Sequence, residues 1–181
     1  MNKRLLQWLV IWFSMLALPA SAGGLSPWSF GMSKQQVSAF AEQGPYKSFK
    51  NGDLETYNGV FDGQKENVQF FFGPDGLRRI GVYLYEGSDQ QAAARAWRRA
   101  HASMTSLFGP IQLSGVAPRP DADTPFDDLV LAVVLSTEAN GKTQMVPATQ
   151  PADARVFSSF MRIARPDGPR YVLIVYYDKP A

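Results

Sequence analysis

His101 is the only histidine in the chain, and the chain has no cysteine. A Ser–His–Asp triad would therefore depend on this one side chain, and catalysis by a Cys–His pair is excluded. His101 lies one helical turn after Trp97, at the margin of a predicted apolar stripe, which favours a structural histidine that packs on the indole ring. The motifs of nucleophile elbows, dinucleotide-binding folds and phosphate-binding loops are also missing. The residues favour a protein without catalytic chemistry.

Four aspartates lie close together in a proline-rich stretch: Asp121, Asp123, Asp127 and Asp128. Carboxylate oxygens suit a hard cation such as calcium, but the central glycine and distal glutamate of an EF-hand loop are missing. We favour a solvated, turn-rich acidic loop over a calcium site. We expect neither a metal nor another cofactor.

Arg95, Arg98 and Arg99 line one side of the second predicted helix. They could form a basic patch for phosphate or lipid head groups, or the solvated face of an amphipathic helix. Lys3 and Arg4 account for the difference between 18 basic and 16 acidic residues, so the chain that follows them is balanced. We therefore favour the solvated face and expect no nucleic-acid partner.

Aromatic residues in the predicted strands point to binding. We expect Ile80 and Val82 to face the helices. Alternation along the strand then turns Tyr83 and Tyr85 to the opposite side, with Phe71 beside them.

The last strand carries the same signal, because both of its alternating sets of side chains are apolar or aromatic. A sheet covered on one face would leave one set exposed, and exposed rings on a rigid surface are typical of protein interfaces. The candidate partner-binding residues are Phe71, Tyr83, Tyr85, Tyr171 and Tyr177. The alternatives are that a loop, a second sheet or a homodimer covers these rings.

Capping boxes predict the starts of two helices. Ser33-Lys34-Gln35-Gln36 begins the first helix, and Gly44-Pro45 ends it. Ser88-Asp89-Gln90-Gln91 begins the second helix, whose apolar stripe runs as far as Phe108.

Alternating apolar residues predict three strands between these helices: Thr56 to Phe61, Val68 to Phe72, and Ile80 to Tyr85. The unbroken apolar run Leu129 to Leu135 predicts a central strand, with a polar loop from Glu138 to Ala152. Two more strands, Val156 to Ala164 and Tyr171 to Tyr177, complete the chain. The predicted fold is α+β, an antiparallel sheet with helices on one face, in the order α-β-β-β-α-β-β-β.

The two halves of the chain, about 23–87 and 88–181, echo each other. Gly73–Arg78 and Arg165–Arg170 each contain Pro-Asp-Gly, and the strands that follow them match at a constant offset. A tandem duplication explains the echo, and so does the frequency of Pro-Asp-Gly turns. We expect a single domain, 23–181.

An export signal is predicted at the N-terminus. Lys3 and Arg4 precede an apolar run that ends before Pro19, and Ala20-Ser21-Ala22 supplies a small-x-small cleavage site. The run is shorter than the roughly 20 residues that span a bilayer. We expect cleavage after Ala22, a periplasmic domain without disulfides, and no stable membrane anchor.

Gly31-Met32-Ser33, followed by Gln35-Gln36-Val37, resembles the helix opening of the SmpA/OmlA (BamE-like) outer-membrane assembly lipoproteins. The strand pair from Val68 to Ile80 is similar to that family's closing hairpin, so the resemblance covers roughly 30–85. The tandem layout resembles the beta-lactamase-inhibitor-protein fold. The lipid-anchoring cysteine and the disulfides of those proteins are absent here. The resemblances imply a sheet whose uncovered face meets a protein partner.

A non-catalytic, periplasmic protein-binding module is the favoured function, either inhibitor- or immunity-like or an accessory of envelope assembly. Its partner would be a protein of the cell envelope. The alternative is a small-molecule or glycan binder with a pocket between sheet and helices, lined by Trp28, Trp97 and the tyrosines. A hydrolase is the least favoured function.

Overall fold

The computed structural model describes residues 25–121 and 123–180, and the predicted export signal, 1–22, lies outside them. The described chain has a mixed α+β fold with one antiparallel sheet. Its helices are α1 (Lys34–Ser38), α2 (Gln90–Phe108) and α3 (Phe126–Asn140), and a 3₁₀ turn spans Ala41–Gln43. Its strands are β1 (Lys47–Ser48), β2 (Leu54–Phe61), β3 (Gln64–Gly73), β4 (Gly76–Gly87), β5 (Ile111–Ser114), β6 (Lys142–Pro147), β7 (Arg155–Ile163) and β8 (Arg170–Asp178).

The sheet has eight strands in the order β1-β2-β3-β4-β8-β7-β6-β5. The pairing of β4 with β8 joins the N-terminal and C-terminal strands into one continuous sheet. The two edge strands, β1 and β5, are only two and four residues long. Short edges offer few unpaired backbone groups to another strand, so the broad faces are the larger surfaces for contact.

The buried side chains of the three helices belong to the same hydrophobic core as alternate residues of the strands. The strand residues of this core include Val68, Phe70, Ile80, Val82, Leu173, Val175 and Tyr177. We call this side of the sheet the core face. Residues of the other parity include Phe71, Tyr83, Phe157, Ile174 and Tyr176, which the register aligns across β3, β4, β7 and β8. We call that side the aromatic face.

The capping box of α1 is confirmed. The Ser33 hydroxyl accepts a hydrogen bond from the Gln36 backbone N–H, and the Ser33 backbone N–H donates to Gln36 Oε1 at 2.8 Å. The predicted start of α2 is one residue early, because the N-cap is Asp89 rather than Ser88. Asp89 Oδ1 accepts hydrogen bonds from the backbone N–H groups of Gln91 at 2.8 Å and Ala92 at 3.1 Å.

The predicted central strand from Leu129 to Leu135 is wrong, because these residues lie inside the helix α3. A short apolar run does not distinguish a buried strand from a buried helix. The flanking residues carry the helical signal, since acids at Asp127 and Asp128 occupy the first turn and Gly141 is left-handed, with a φ of 78°.

The predicted element order is therefore incomplete. The polar loop predicted from Glu138 to Ala152 contains the strand β6, and the proline-rich connection before α3 contains the strand β5. Strand β1 was also not predicted. The hairpins β3–β4 and β7–β8 form where the alternation predicts them.

The sequence echo between the two halves does not preserve the faces of the sheet. It matches Ile80 with Val172 and Val82 with Ile174, but Ile80 and Val82 belong to the core, whereas Val172 and Ile174 lie outside that cluster. The matching letters therefore do not establish a duplication at this offset.

Candidate functional site

Two of the five predicted partner-binding residues, Phe71 and Tyr83, lie on the aromatic face. Phe71 pairs with Arg79 across β3 and β4, and Tyr83 pairs with Ile174 across β4 and β8. Both rings are half-buried, so each presents part of its surface beside the centre of the sheet.

Tyr85 lies on the core face, and its predicted placement is wrong. A register shift between Tyr83 and Tyr85 leaves Leu84 as an extra residue, and Tyr85 pairs with Leu173. A bulge of this kind reverses the alternation that follows it. The Tyr85 hydroxyl donates to the Asp89 carbonyl at 2.8 Å and accepts from the Asp89 N–H at 3.1 Å, so it tethers the start of α2.

Tyr171 and Tyr177 are also core residues, with 4% and 1% of their surfaces exposed. Along β8, both side chains lie on the same side of the sheet as Leu173 and Val175. The Tyr171 hydroxyl forms a short hydrogen bond to Glu138 of α3, and burial raises the pKa of Tyr177. Neither ring is presented to a partner by the folded protein, which corrects the expectation that they lie on an open surface.

Three residues of the aromatic face were not among the predicted site residues: Phe157, Ile174 and Tyr176. The ring centroids of Phe157 and Tyr176 lie 5.1 Å apart with an interplanar angle of 32°. The sequence contained a signal for Ile174 and Tyr176, since both alternating sets of β8 are apolar. Only the register with β4 decides which set faces the core.

Arg79 is fixed among these rings. Its Nε lies 2.5 Å from Asp178 Oδ1 and its Nη2 lies 2.7 Å from Asp178 Oδ2. Its guanidinium carbon lies 4.9 Å from the Tyr176 ring centroid and 6.0 Å from that of Phe157. The hydrogen bond to Asp178 raises the pKa of Arg79. The bidentate pair and the ring contacts hold the side chain in one orientation.

Gly81 brings the surrounding side chains close together. A Cβ at this position would lie 3.3 Å from Phe71 Cε2 and 3.4 Å from both Ile174 Cγ2 and Tyr176 Cε1. The Phe71 and Tyr176 rings therefore pack over the backbone of Gly81, which has no side chain to separate them. Ile174 is only 2% exposed although it lies outside the hydrophobic core cluster. The aromatic face is thus a filled apolar surface rather than a deep cavity.

Tyr83 supplies a neutral hydroxyl to this surface. Burial, together with the charges of Tyr176, Glu86 and Glu55, raises the pKa of Tyr83 to about 12. The phenol therefore keeps its proton at neutral pH and can donate a hydrogen bond to an acceptor on a partner.

His101 packs as the sequence predicts. Its ring stacks on Trp97 at 5.2 Å between centroids and lies 5.3 Å from the Phe126 ring. Burial lowers the pKa of His101. An open depression of about 470 Å³ adjoins it, lined in part by Leu113 and Arg119.

The arginines of α2 form ion pairs instead of a free basic patch. Arg98 lies 2.6 Å from Asp127, and Arg99 lies 2.6 Å from Glu66. Asp121 accepts hydrogen bonds from the Asp123 N–H and the Thr124 hydroxyl. Within 25–121 and 123–180, no group of three or more His, Asp or Glu side chains could hold a metal ion.

The two tryptophans predicted to line a ligand pocket are core residues, since Trp28 is 0% and Trp97 is 1% exposed. Trp28 packs edge-on against Phe70 at 4.8 Å. Because both rings are enclosed by packed side chains, neither lines an open pocket.

Comparisons of this chain with protein-family models, curated proteins and solved structures find no match. The resemblance to the assembly lipoproteins and to the inhibitor fold therefore stays a prediction. Among the described residues, no helix combines the length and apolar character needed to cross a membrane.

Proposed function

We propose that this chain is a non-catalytic binding module of the periplasm whose aromatic face docks a protein of the cell envelope. The observation that carries the proposal is the aromatic face itself, on which half-buried rings surround Arg79, whose guanidinium is bound by Asp178. The buried apolar side chains of the helices belong to the core cluster, which does not include Phe71, Tyr83 or Tyr176. A rigid apolar surface with a polar margin is what a protein interface requires.

The residue types on this face also favour a protein partner. Tyrosine and arginine are enriched among the residues that contribute most to binding energy at interfaces. Arg79 is already held by Asp178 and Tyr176. Little side-chain entropy remains to be lost there on binding, which favours affinity.

The periplasmic location rests on the predicted signal at 1–22. An inhibitor- or immunity-like role and a role in envelope assembly both use a face of this kind. The sequence contains no cysteine that could carry a thioether-linked lipid, which favours a freely diffusing inhibitor- or immunity-like protein.

A second candidate function is the binding of a small molecule or glycan at the depression beside His101. The depression combines apolar side chains such as Ile111 and Leu113 with the polar Gln112 and Arg119, a combination typical of small-ligand sites. Thermal-shift screening with glycans and lipids tests it. We expect a stabilising hit to disappear in Leu113→Asp if this candidate holds, and to be absent altogether if the aromatic face is the functional site.

Site-specific photocrosslinking in cells tests the main proposal. Benzoylphenylalanine is installed in place of Tyr83 on the aromatic face and, as the control, in place of Leu135, which is 57% exposed on α3. We expect position 83 to give one discrete adduct, identified by mass spectrometry, and position 135 to give none.

The complex with the protein identified in the adduct is then reconstituted from purified components. We expect Tyr176→Ala to weaken the purified complex at least tenfold and Leu135→Ala to leave its Kd within a factor of two. An adduct of the chain with itself, or the absence of an adduct at position 83, would overturn the proposal.

A further inference from the structure

One end of the aromatic face is bordered by cations. The register aligns Phe71 with Arg79 across β3 and β4, and Arg79 with Asp178 across β4 and β8. At the same end, the Lys179 backbone N–H donates to the Arg78 carbonyl at 2.9 Å, which places these two exposed cationic residues side by side. Arg79 lines one open depression at this end of the sheet, and Phe71 lines another.

The first depression, of about 400 Å³, contains three cationic residues and one acid. It is lined by Arg78, Arg79, Asp178, Lys179 and Pro180. Both carboxylate oxygens of Asp178 already accept hydrogen bonds from Arg79. The positive charges of Arg78 and Lys179 are therefore not balanced by this acid.

The second depression, of about 460 Å³, joins apolar rings to another cation. It is lined by Phe49, Lys50, Asn51, Asp53, Gln69 and Phe71. Its one acid, Asp53, accepts hydrogen bonds from neutral donors, the Phe72 N–H at 3.0 Å and Asn51 Nδ2 at 2.8 Å, so its negative charge balances the positive charge of Lys50. Lys50 is exposed beside it. We call Arg78 and Lys179 the cationic rim.

The rim arises from the placement of charge and not from a basic composition. The whole chain has 18 basic and 16 acidic residues, and the extra two are Lys3 and Arg4 of the predicted signal. A chain balanced in this way lacks the extended basic surface of a nucleic-acid-binding protein. A local cationic rim beside apolar rings is complementary to an acidic patch that surrounds apolar side chains.

We infer that the partner meets the aromatic face with an acidic protein segment whose apolar side chains contact Phe71 and Tyr176 and whose carboxylates bind the cationic rim. This inference rests on the proposed function. Arg79, which is committed to Asp178, positions the rings, while Arg78 and Lys179 bind the carboxylates. Such pairs lie at the solvent-exposed margin, so they increase the association rate and weaken as salt screens them.

Peptides of defined sequence test the inference with protein purified from the periplasm after expression of the full-length chain. The probe is a fluorescent, end-blocked 12-residue peptide that alternates glutamate with leucine and tyrosine, and its matched control carries glutamine in place of glutamate. Anisotropy titrations compare Arg78→Gln/Lys179→Gln with Arg95→Gln/Arg165→Gln. The second variant removes the same charge from exposed residues outside the rim.

We expect the rim variant to bind the acidic peptide at least tenfold more weakly and the control variant to bind within a factor of two of the original protein. Equal losses in both variants, equal binding of the glutamine peptide, or no binding of the acidic peptide would each overturn the inference. Tighter binding to a 20-nucleotide thymidine strand or to phosphatidylglycerol vesicles would overturn it in favour of a nucleic acid or a membrane.

The crosslinking assay separates this inference from the proposed function. If the adduct at position 83 survives in Arg78→Gln/Lys179→Gln but is lost in Tyr176→Ala, docking at the aromatic face stands and the acidic segment is wrong. If no adduct forms in the original protein, the proposed function itself fails.

Discussion

Tyr83 and Tyr177 have the same side chain on opposite sides of one sheet. Tyr177 is enclosed in the core and packs against Phe108 at 6.3 Å, whereas Tyr83 is half-buried on the aromatic face. The free energy that each ring contributes to folding therefore differs, and so does its availability to a partner.

We expect Tyr177→Ala to lower the free energy of unfolding by about 3–5 kcal/mol, because it opens a large cavity in the core. We expect Tyr83→Ala to lower it by roughly 1 kcal/mol, since the ring is open to water on one side. Urea denaturation followed by circular dichroism measures both values. Equal losses would contradict the assignment of the two faces.

His101 should make stability depend on pH. Burial lowers its pKa in the folded protein, whereas the unfolded chain titrates near the ordinary value of about 6.5. Below that pH the unfolded state binds a proton more readily than the folded state, so stability falls as the pH falls.

Thermal unfolding between pH 7.5 and pH 5.5 checks this expectation, because this range brackets the ordinary pKa of histidine, about 6.5. We expect Tm to decrease over this range and the decrease to be smaller in His101→Gln. An identical slope in the variant would show that another group is responsible.

At the scale of single elements, the helices differ in how their sequences specify them. α2 has both a cap and an apolar stripe, whereas α3 is rich in apolar residues that also suit a strand. The sequence pattern therefore distinguishes a helix from a strand for α2 but not for α3.

The cap of α2 can be tested at adjacent residues. We expect Asp89→Ala to cost about 1 kcal/mol, because two backbone N–H groups lose their acceptor. We expect Ser88→Ala to change stability by less than about 0.5 kcal/mol, as an exposed substitution without such a bond does. Chemical denaturation of both variants measures the difference. A larger loss of stability in Ser88→Ala than in Asp89→Ala would indicate that Ser88 is the N-cap.

The helical assignment of 126–140 makes a clear prediction for Leu131, which is 56% exposed. We expect Leu131→Gln to change the free energy of unfolding by less than about 1 kcal/mol, because the side chain already contacts water. The matched Val133→Gln places an amide in the core, where Val133 is 1% exposed, and should unfold the protein. Severe unfolding in both variants would indicate the central strand that the sequence pattern predicts.

At the scale of the whole molecule, β4 and β8 connect the two halves of the chain. They pair over most of their length at the centre of the sheet, and their residues share one core. Without the other half of the chain, β4 would lack its partner β8, and β8 would lack β4. We therefore expect the two halves to fold together.

We therefore expect one cooperative unfolding transition, with the same midpoint by tryptophan fluorescence and by far-ultraviolet circular dichroism. We also expect a chain truncated before β8, at residue 169, to remain unfolded. Two separate transitions, or a folded truncated chain, would mean that the halves are independent domains.

Local chemistry determined much of this protein from sequence alone. The capping box at Ser33, the turn at Gly73–Gly76 and the alternation of β3, and of β4 as far as Tyr83, depend on near neighbours, and the structure has them where they were predicted. His101 stacks on Trp97 for the same reason, because residues four apart on a helix meet.

Only the tertiary structure decided which aromatic rings share a face. The bulge at Leu84 turns Tyr85 towards the core. The register between β8 and β4 places Tyr177 in the core and Tyr176 on the aromatic face. Both sets of β8 side chains are apolar, so the sequence pattern has no preference between them. Their placement depends on contacts between strands far apart in the chain, and a shift of one residue in register exchanges the two faces.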